Sequence, residues 1–259
     1  MRVMTCNVRF PTEKDGDNRW VHRKQLLSDV IRSYDPDIIG FQELWREQQQ
    51  FMMEQLPSHA WFGMADTRDS NRPMNAIAWR DDRFQLVSPG GYWLSETPHV
   101  TGSRSWDSSN IRMANWVRLY DVNAEREFRF INTHLDHRGQ QARPEQAHLI
   151  NQDAEAFDDA YPQILTGDMN DTPDSAAINR FLDSGWRDTY EAVHQSMETG
   201  LTIHHFHGPD DPVPPKRIDW IFMRGPLKAH HAQVIRDNDN GRYPSDHYFV
   251  LADLDFKQA

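Results

Sequence analysis

The stretch LTGDMND, residues 165–171, ends an apolar run that starts at Gln163 and sets Asp168 and Asn170 two positions apart where a strand gives way to a loop. In extended backbone, residues two apart point the same way, so a carboxylate and a carboxamide stand side by side at a strand end. Such a pair can hold and deprotonate a water, with Asp168 as base and Asn170 as the orienting group. An Asx-type turn closing the strand explains the same residues without chemistry. What decides between them is whether other polar residues reach the same place.

Working outward, short runs rich in β-branched and aromatic residues read as strands over 2–8, 37–41, 75–79, 116–122, 128–134, 163–166, 218–223 and 248–254. Apolar residues at near-helical spacing, starting at Asn18 and stopped by Pro36, predict a helix. Similar patterns predict helices over 46–56, 143–159 and 175–184. GPDDPVPP at 208–215 reads as a loop. Helices and strands alternate in places and strands follow one another elsewhere, which points to mixed sheets covered by helices. One domain over 1–259 is the expectation.

Asn7, Glu43, His134, Asp168, Asp219 and Asp246 all fall at or near ends of these strands, the region where open α/β sheets collect ligands. YPSDHYFV places Asp246 and His247 just before the last strand, a carboxylate suited to a metal beside an imidazole suited to a phosphoryl oxygen. RIDWIF puts Asp219 among apolar neighbours, where an ionised carboxylate needs a partner. His247 would serve and would have its tautomer fixed, whereas the structural alternatives are an ion pair with Arg217 for Asp219 and a helix or turn cap for Asp246. Glu43, ending a strand in IIGFQEL, is a hard oxygen donor suited to Mg²⁺ or Mn²⁺, or else a solvated loop carboxylate. His134 and His137 flank Asp136 in NTHLDH, but no H-E-x-x-H zinc pattern exists, and HHFH at 204–207 has no cysteine to help it.

The balance of 28 Lys+Arg against 39 Asp+Glu, net charge -11, disfavours long nucleic acid as a partner. No apolar run approaches the roughly 20 residues that cross a bilayer, so membrane insertion is not expected. The single cysteine, Cys6, allows no intramolecular disulfide and reads as core packing. A cytoplasmic monomer is the simplest expectation, with no signal-like leader in MRVMTCNVRF.

Taken together, Asn7, the QE pair at 42–43, NTHLDH, TGDMN, RIDWIF and SDH occur in the order and approximate spacing of the endonuclease/exonuclease/phosphatase superfamily, whose fold resembles DNase I. DNRWVHRK at 17–24, YWLSETP at 92–98, GSRSWD at 102–107 and NTHLDHRGQQAR at 132–143 resemble a bacterial hydrolase subgroup related to deadenylase and nocturnin catalytic domains. The resemblance implies a four-layered α/β sandwich, two packed mixed β-sheets flanked by helices, with one metal-centred pocket at an edge. It implies Glu43 as principal Mg²⁺ (or Mn²⁺) ligand, with Asn7 and Asp246 nearby, Asp168 and Asn170 positioning water, His134 and His247 on phosphoryl oxygens, and Asp219 orienting His247.

The expected activity is therefore metal-dependent hydrolysis of a phosphomonoester or phosphodiester in a phosphorylated small molecule. A nuclease acting on short or single-stranded ends is the alternative within enzymes, and a binding module that lost its chemistry the alternative outside them. For the substrate, Arg104 and Arg112 are candidate phosphate contacts, with surface ion pairs the competing explanation. Trp106 and Phe206, in loops, are candidate stacking faces, whereas Trp93 and Trp116 read as core.

Overall fold

Consecutive apolar residues in the central strands point to opposite sides, and each side finds a different cover. The computed structural model describes residues 1–67, 75–198 and 200–257. In chain order the elements are β1 (Arg2–Asn7), a 3-10 helix (Glu13–Asn18), α1 (Trp20–Tyr34), β2 (Ile38–Gln42), α2 (Arg46–Gln55), β3 (His59–Phe62), β4 (Ile77–Arg80), β5 (Phe84–Trp93), β6 (Met113–Asp121) and β7 (Arg126–His134). There follow α3 (Ala142–Glu155), β8 (Gln163–Asp168), α4 (Ala176–Asp183), β9 (Arg187–Asp188), α5 (Thr189–His194), a 3-10 turn (Gly208–Asp210), β10 (Asp219–Arg224), β11 (Leu227–Ile235) and β12 (Phe249–Phe256).

The strands form two six-stranded sheets, β11-β12-β1-β2-β4-β3 and β5-β6-β7-β8-β10-β9. Each is mixed: β1–β2 and β7–β8 run parallel, their other neighbours antiparallel. Val3, Ile38, Phe130, Ile164 and Ile221 pack between the sheets. Their chain neighbours Met4 and Ile39 meet α1 and α2, while Ile131, Leu165 and Phe222 meet α3 and α4. The result is a four-layered α/β sandwich. Strands buried on both faces have no polar side, which is why they read as continuous apolar runs.

All four edge strands, β11, β3, β5 and β9, lie outside the segments that read as strands. Edge positions tolerate what central strands do not. β5 carries Pro89, Gly90 and Gly91 and a register shift between Leu86 and Ser88. β11 alternates Lys228 and His230 with apolar residues. Among the described residues, no helix is long and apolar enough to cross a membrane.

At one end the inter-sheet core turns polar. Asn132 on β7 donates to the Phe41 carbonyl at 2.8 Å and the Ala76 carbonyl at 3.0 Å, and its Oδ1 accepts from Gln42 Nε2 at 2.7 Å and Thr166 Oγ1 at 3.1 Å. Gln42 also donates to Thr5 Oγ1 at 3.0 Å. All four residues are buried, and leaving one such group unpaired would cost about 1–3 kcal/mol, so the set fixes how the two sheets meet. Gly40 leaves room for it: a Cβ there would lie 2.3 Å from Thr166 Oγ1 and 2.7 Å from Asn132 Oδ1.

Gly40→Ala should therefore lower stability by about 2–4 kcal/mol, from overpacking combined with lost hydrogen bonds. Urea unfolding reads this directly, and a midpoint equal to the parent's would contradict the inter-sheet role.

Candidate active site

Beyond the polar belt, the strand ends of both sheets open into one place. The parallel register sets His134 opposite Asp168, and the antiparallel register brings the start of β10, Asp219, opposite the same Asp168. In the other sheet β1 ends on Asn7 beside Gln42, which precedes Glu43, and Asp246 and His247 lead into β12. All eight residues expected to carry catalysis or metal thus arrive at one edge of the sandwich.

Asp168 is the junction. Asn7 Nδ2 donates to its Oδ2 at 2.9 Å, joining the two sheets, and the Asn170 backbone N–H donates to its Oδ1 at 2.9 Å. Asn170 Nδ2 donates to the Leu135 carbonyl at 3.0 Å, which settles the orientation of its amide. His134 Nε2 lies 3.3 Å from Asp168 Oδ2. His247 Nδ1 bonds Asp219 Oδ2 at 2.9 Å, and its Nε2 stands 3.9 Å from Asp168. Arg217 does not take the ion pair weighed for Asp219; it forks onto Asp188 at 2.6 and 2.7 Å. Instead the Thr202 hydroxyl accepts from the Ile218 and Asp219 N–H groups at 2.9 and 3.1 Å.

This packing separates the protonation states. Burial, reinforced by Asp219, pushes the Asp168 carboxyl up to about 7. Burial alone would depress His247, but Asp219, Asp246 and Asp168 outweigh it and raise the imidazole to about 10. His134, buried beside Arg112 and His247, is held well below the ordinary histidine value. One imidazole is cationic and the other neutral, on either side of a carboxylate whose pKa suits a general base. Asp168, Asp219 and His247 also place ligand atoms within 4.8 Å of one another, a group able to hold a metal ion.

Of the residues at this edge, Arg9 (φ 56), Glu43 (φ 60), Asn170 (φ 49) and the histidine His205 (φ 45) have left-handed backbone. For Arg9 and Glu43 this costs about 1–2 kcal/mol each, and strain of this kind gathers at functional sites. Glu43 is steadied by the Phe10 N–H, which donates to its Oε2 at 3.1 Å. Arg9 forks onto Asp15 at 2.9 and 3.1 Å and lies 3.7 Å from Asp246. Arg23, buried in α1, donates to the carbonyls of Val8, Arg9 and Pro244 at 2.7 to 2.8 Å, tying the loop after Asn7 to the one before Asp246.

The site floors a cleft of about 520 Å³. Of the four expected substrate contacts, only Arg112 lines it. Arg104 is exposed and donates to the Ser109 carbonyl at 2.9 Å; Trp106 shares its loop, away from the cleft. Phe206 packs with Tyr243 and Tyr248 behind the site. The cleft's aromatic wall is instead Phe10 and Trp45, stacked with centroids 5.8 Å apart. Each lies within three residues of a site residue in sequence, and that adjacency was the available signal. Trp93 is buried as expected, while Trp116 is only partly buried, under the Arg129 guanidinium.

Asp136, between the two histidines of NTHLDH, serves neither as ligand nor as base. It accepts from the backbone N–H groups of Ser109, Asn110, Arg138 and Gly139 at 2.7 to 3.0 Å, fixing two loops at the cleft rim. Burial would raise its carboxyl, but those bonds hold it far below the usual carboxylate range.

The Endonuclease/Exonuclease/phosphatase family model matches residues 4–247. Among curated proteins the chain is 27% identical over 148 residues to protein L388 of Acanthamoeba polyphaga mimivirus, an alignment spanning 52% of this chain and 54% of that one. It is 26% identical over 303 residues to nocturnin of Xenopus laevis, spanning 99% of this chain and 73% of nocturnin. Among solved structures, the endonuclease/exonuclease/phosphatase of Bacteroides vulgatus superposes with a TM-score of 0.91 at 27% identity, covering 99% and 98% of the two chains. The mannosyl-6-phosphatase of Bacteroides thetaiotaomicron superposes at 0.88 and 28%, covering 99% and 100%.

Replacing Asp136 by Asn removes acceptors from several N–H groups at once and should cost about 2–4 kcal/mol at neutral pH. Because its folded pKa is depressed, the parent's advantage should be full above about pH 4 and shrink as pH falls below it. Thermal unfolding of parent and variant across that range measures it; a difference independent of pH would contradict the assignment.

Proposed function

The chain belongs to the endonuclease/exonuclease/phosphatase family, and from that premise we propose that it hydrolyses a phosphoester of a small molecule with the help of a divalent cation. The observation that carries this reading is the meeting of Asn7, Glu43, Asp246, Asp168, Asn170 and both histidines at the joined edge of the two sheets.

The donor set fits a hard cation. Glu43, Asp246 and the Asn7 amide offer oxygens. Among the described residues, the Glu43 carboxylate accepts one hydrogen bond, from Phe10, and Asp246 accepts one from Ser245 at 3.3 Å and lies 3.7 Å from Arg9. Excess negative charge in the cleft is what such an ion would balance. When bound, Mg²⁺ or Mn²⁺ polarises the phosphoryl group and offsets its charge.

The remaining work falls to side chains. Asp168, poised near neutral by burial and aligned by Asn7 and the Asn170 N–H, takes a proton from the attacking water. Asn170 orients that water. His247, kept cationic by Asp219, and neutral His134 stabilise charge on the phosphoryl oxygens. Phe10 and Trp45 provide a flat apolar wall for the organic part of the substrate, of the kind that stacks on a sugar ring. The likeness to a mannosyl-6-phosphatase supports a small phosphorylated compound, and net charge -11 argues against a polyanion.

A panel of sugar phosphates, nucleotides and short oligonucleotides should show phosphate release with Mg²⁺ or Mn²⁺ that chelation abolishes. Glu43→Ala and Asp168→Asn should each lower kcat on the order of 10³-fold. Release that survives the chelator would contradict the metal's role.

A further inference from the structure

Arg112 is a cleft-lining cation whose hydrogen-bonding capacity is almost wholly unused among the described residues. Its side chain is only 10% exposed and its nearest carboxylate, Asp136, is 3.8 Å away. Asp136 is moreover saturated by the backbone donors of two loops. The buried Nε has no hydrogen-bond partner, and the guanidinium's one bond among the described residues runs from Nη2 to His137 Nδ1 at 3.4 Å. A guanidinium carries five donors in a planar fork, and burying them unpaired is costly. Arg9, the other arginine lining the cleft, is committed to Asp15.

His137 completes the arrangement. Its Nδ1 faces Asn110 Nδ2 at 3.4 Å and Arg112 Nη2 at 3.4 Å, both donors, while Ser109 Oγ, 3.3 Å away, gives its proton to Asp136. Nδ1 is therefore the acceptor, and the ring proton sits on Nε2 as a further donor. Arg112 also lies near enough to His134 to depress its protonation, so this donor group adjoins the phosphoryl-facing histidine.

We infer that Arg112, steadied by His137, binds the third non-bridging oxygen of a terminal phosphoryl group and makes the site selective for phosphomonoesters over phosphodiesters. This deepens, and rests on, the phosphoesterase reading. A monoester presents three such oxygens and a diester two. The position that carries the second ester group in a diester would face the fork, leaving the guanidinium unpaired in a buried place. Sites built to hydrogen-bond a substrate group discriminate strongly against analogues that lack it.

The test compares p-nitrophenyl phosphate with bis(p-nitrophenyl) phosphate for turnover, and inorganic phosphate with dimethyl phosphate for binding by calorimetry, both with Mg²⁺ present. The parent should favour the monoester and the free phosphate by on the order of 10²-fold or more. Arg112→Gln should collapse both preferences by lowering monoester kcat/KM about 10²-fold and the diester value less than tenfold. Arg112→Lys, which keeps charge without the fork, should restore only part of the preference and serves if the Gln variant fails to fold.

A parent that hydrolyses neither ester, yet prefers phosphate and loses that preference on substitution, would sink the hydrolase reading and leave the Arg112 assignment standing. A parent without preference for free phosphate, or a preference that survives both substitutions, would overturn the assignment.

Discussion

Two sheets that pack through apolar side chains along most of their length must meet, at one end, through four buried polar residues. Asn132, Gln42, Thr5 and Thr166 satisfy one another and the Phe41 and Ala76 carbonyls with no solvent. Apolar contacts tolerate sliding, whereas directional bonds in a dry interior do not. This belt therefore sets where β1 and β2 end relative to β7 and β8. The Asn7–Asp168 bond at 2.9 Å continues the same link out to the cleft floor. Glu43 on one sheet and Asp168 on the other keep their separation because the layers beneath them cannot shift.

That rigidity is what makes the charge arrangement sustainable. Asp168 and Asp219 are both almost fully buried, next to two buried imidazoles. Holding like charges in a dry site is unfavourable unless an opposite charge intervenes. His247 supplies one such charge by bridging towards both carboxylates at 2.9 and 3.9 Å. Glu43 and Asp246, nearer solvent, have Arg9 as their compensating cation, and Arg9 is shared with Asp15. A cation bound between them would complete the balance.

Legibility in the sequence followed burial. Strands covered on both faces appeared as apolar runs, whereas the edge strands β5 and β11 carry polar residues or glycines that an edge permits, and β3 and β9, four and two residues long, are too short to show a pattern. The eight residues that gather at the cleft were legible because each lies in, or within a few positions of, the end of such a run, and their order resembles that of a known family. The residues that line the rest of the cleft were not. Arg104 and Arg112 stand in similar loop context, yet only Arg112 is folded inward, because Asp136 ties Ser109 and Asn110 down from 26 to 27 residues away. Phe10 and Trp45 became a wall only when β1 and β2 paired in parallel and brought their following residues together. Such properties belong to the tertiary arrangement, and no local pattern encodes them.

The proposed cation site depends above all on Glu43. Mn²⁺ binding, followed by the loss of the free-ion electron paramagnetic resonance signal, tests it without requiring a substrate. Mg²⁺ should compete for this site, and Glu43→Gln should abolish it while the thermal melting of the metal-free protein stays unchanged. Equal Mn²⁺ binding by parent and variant would contradict it.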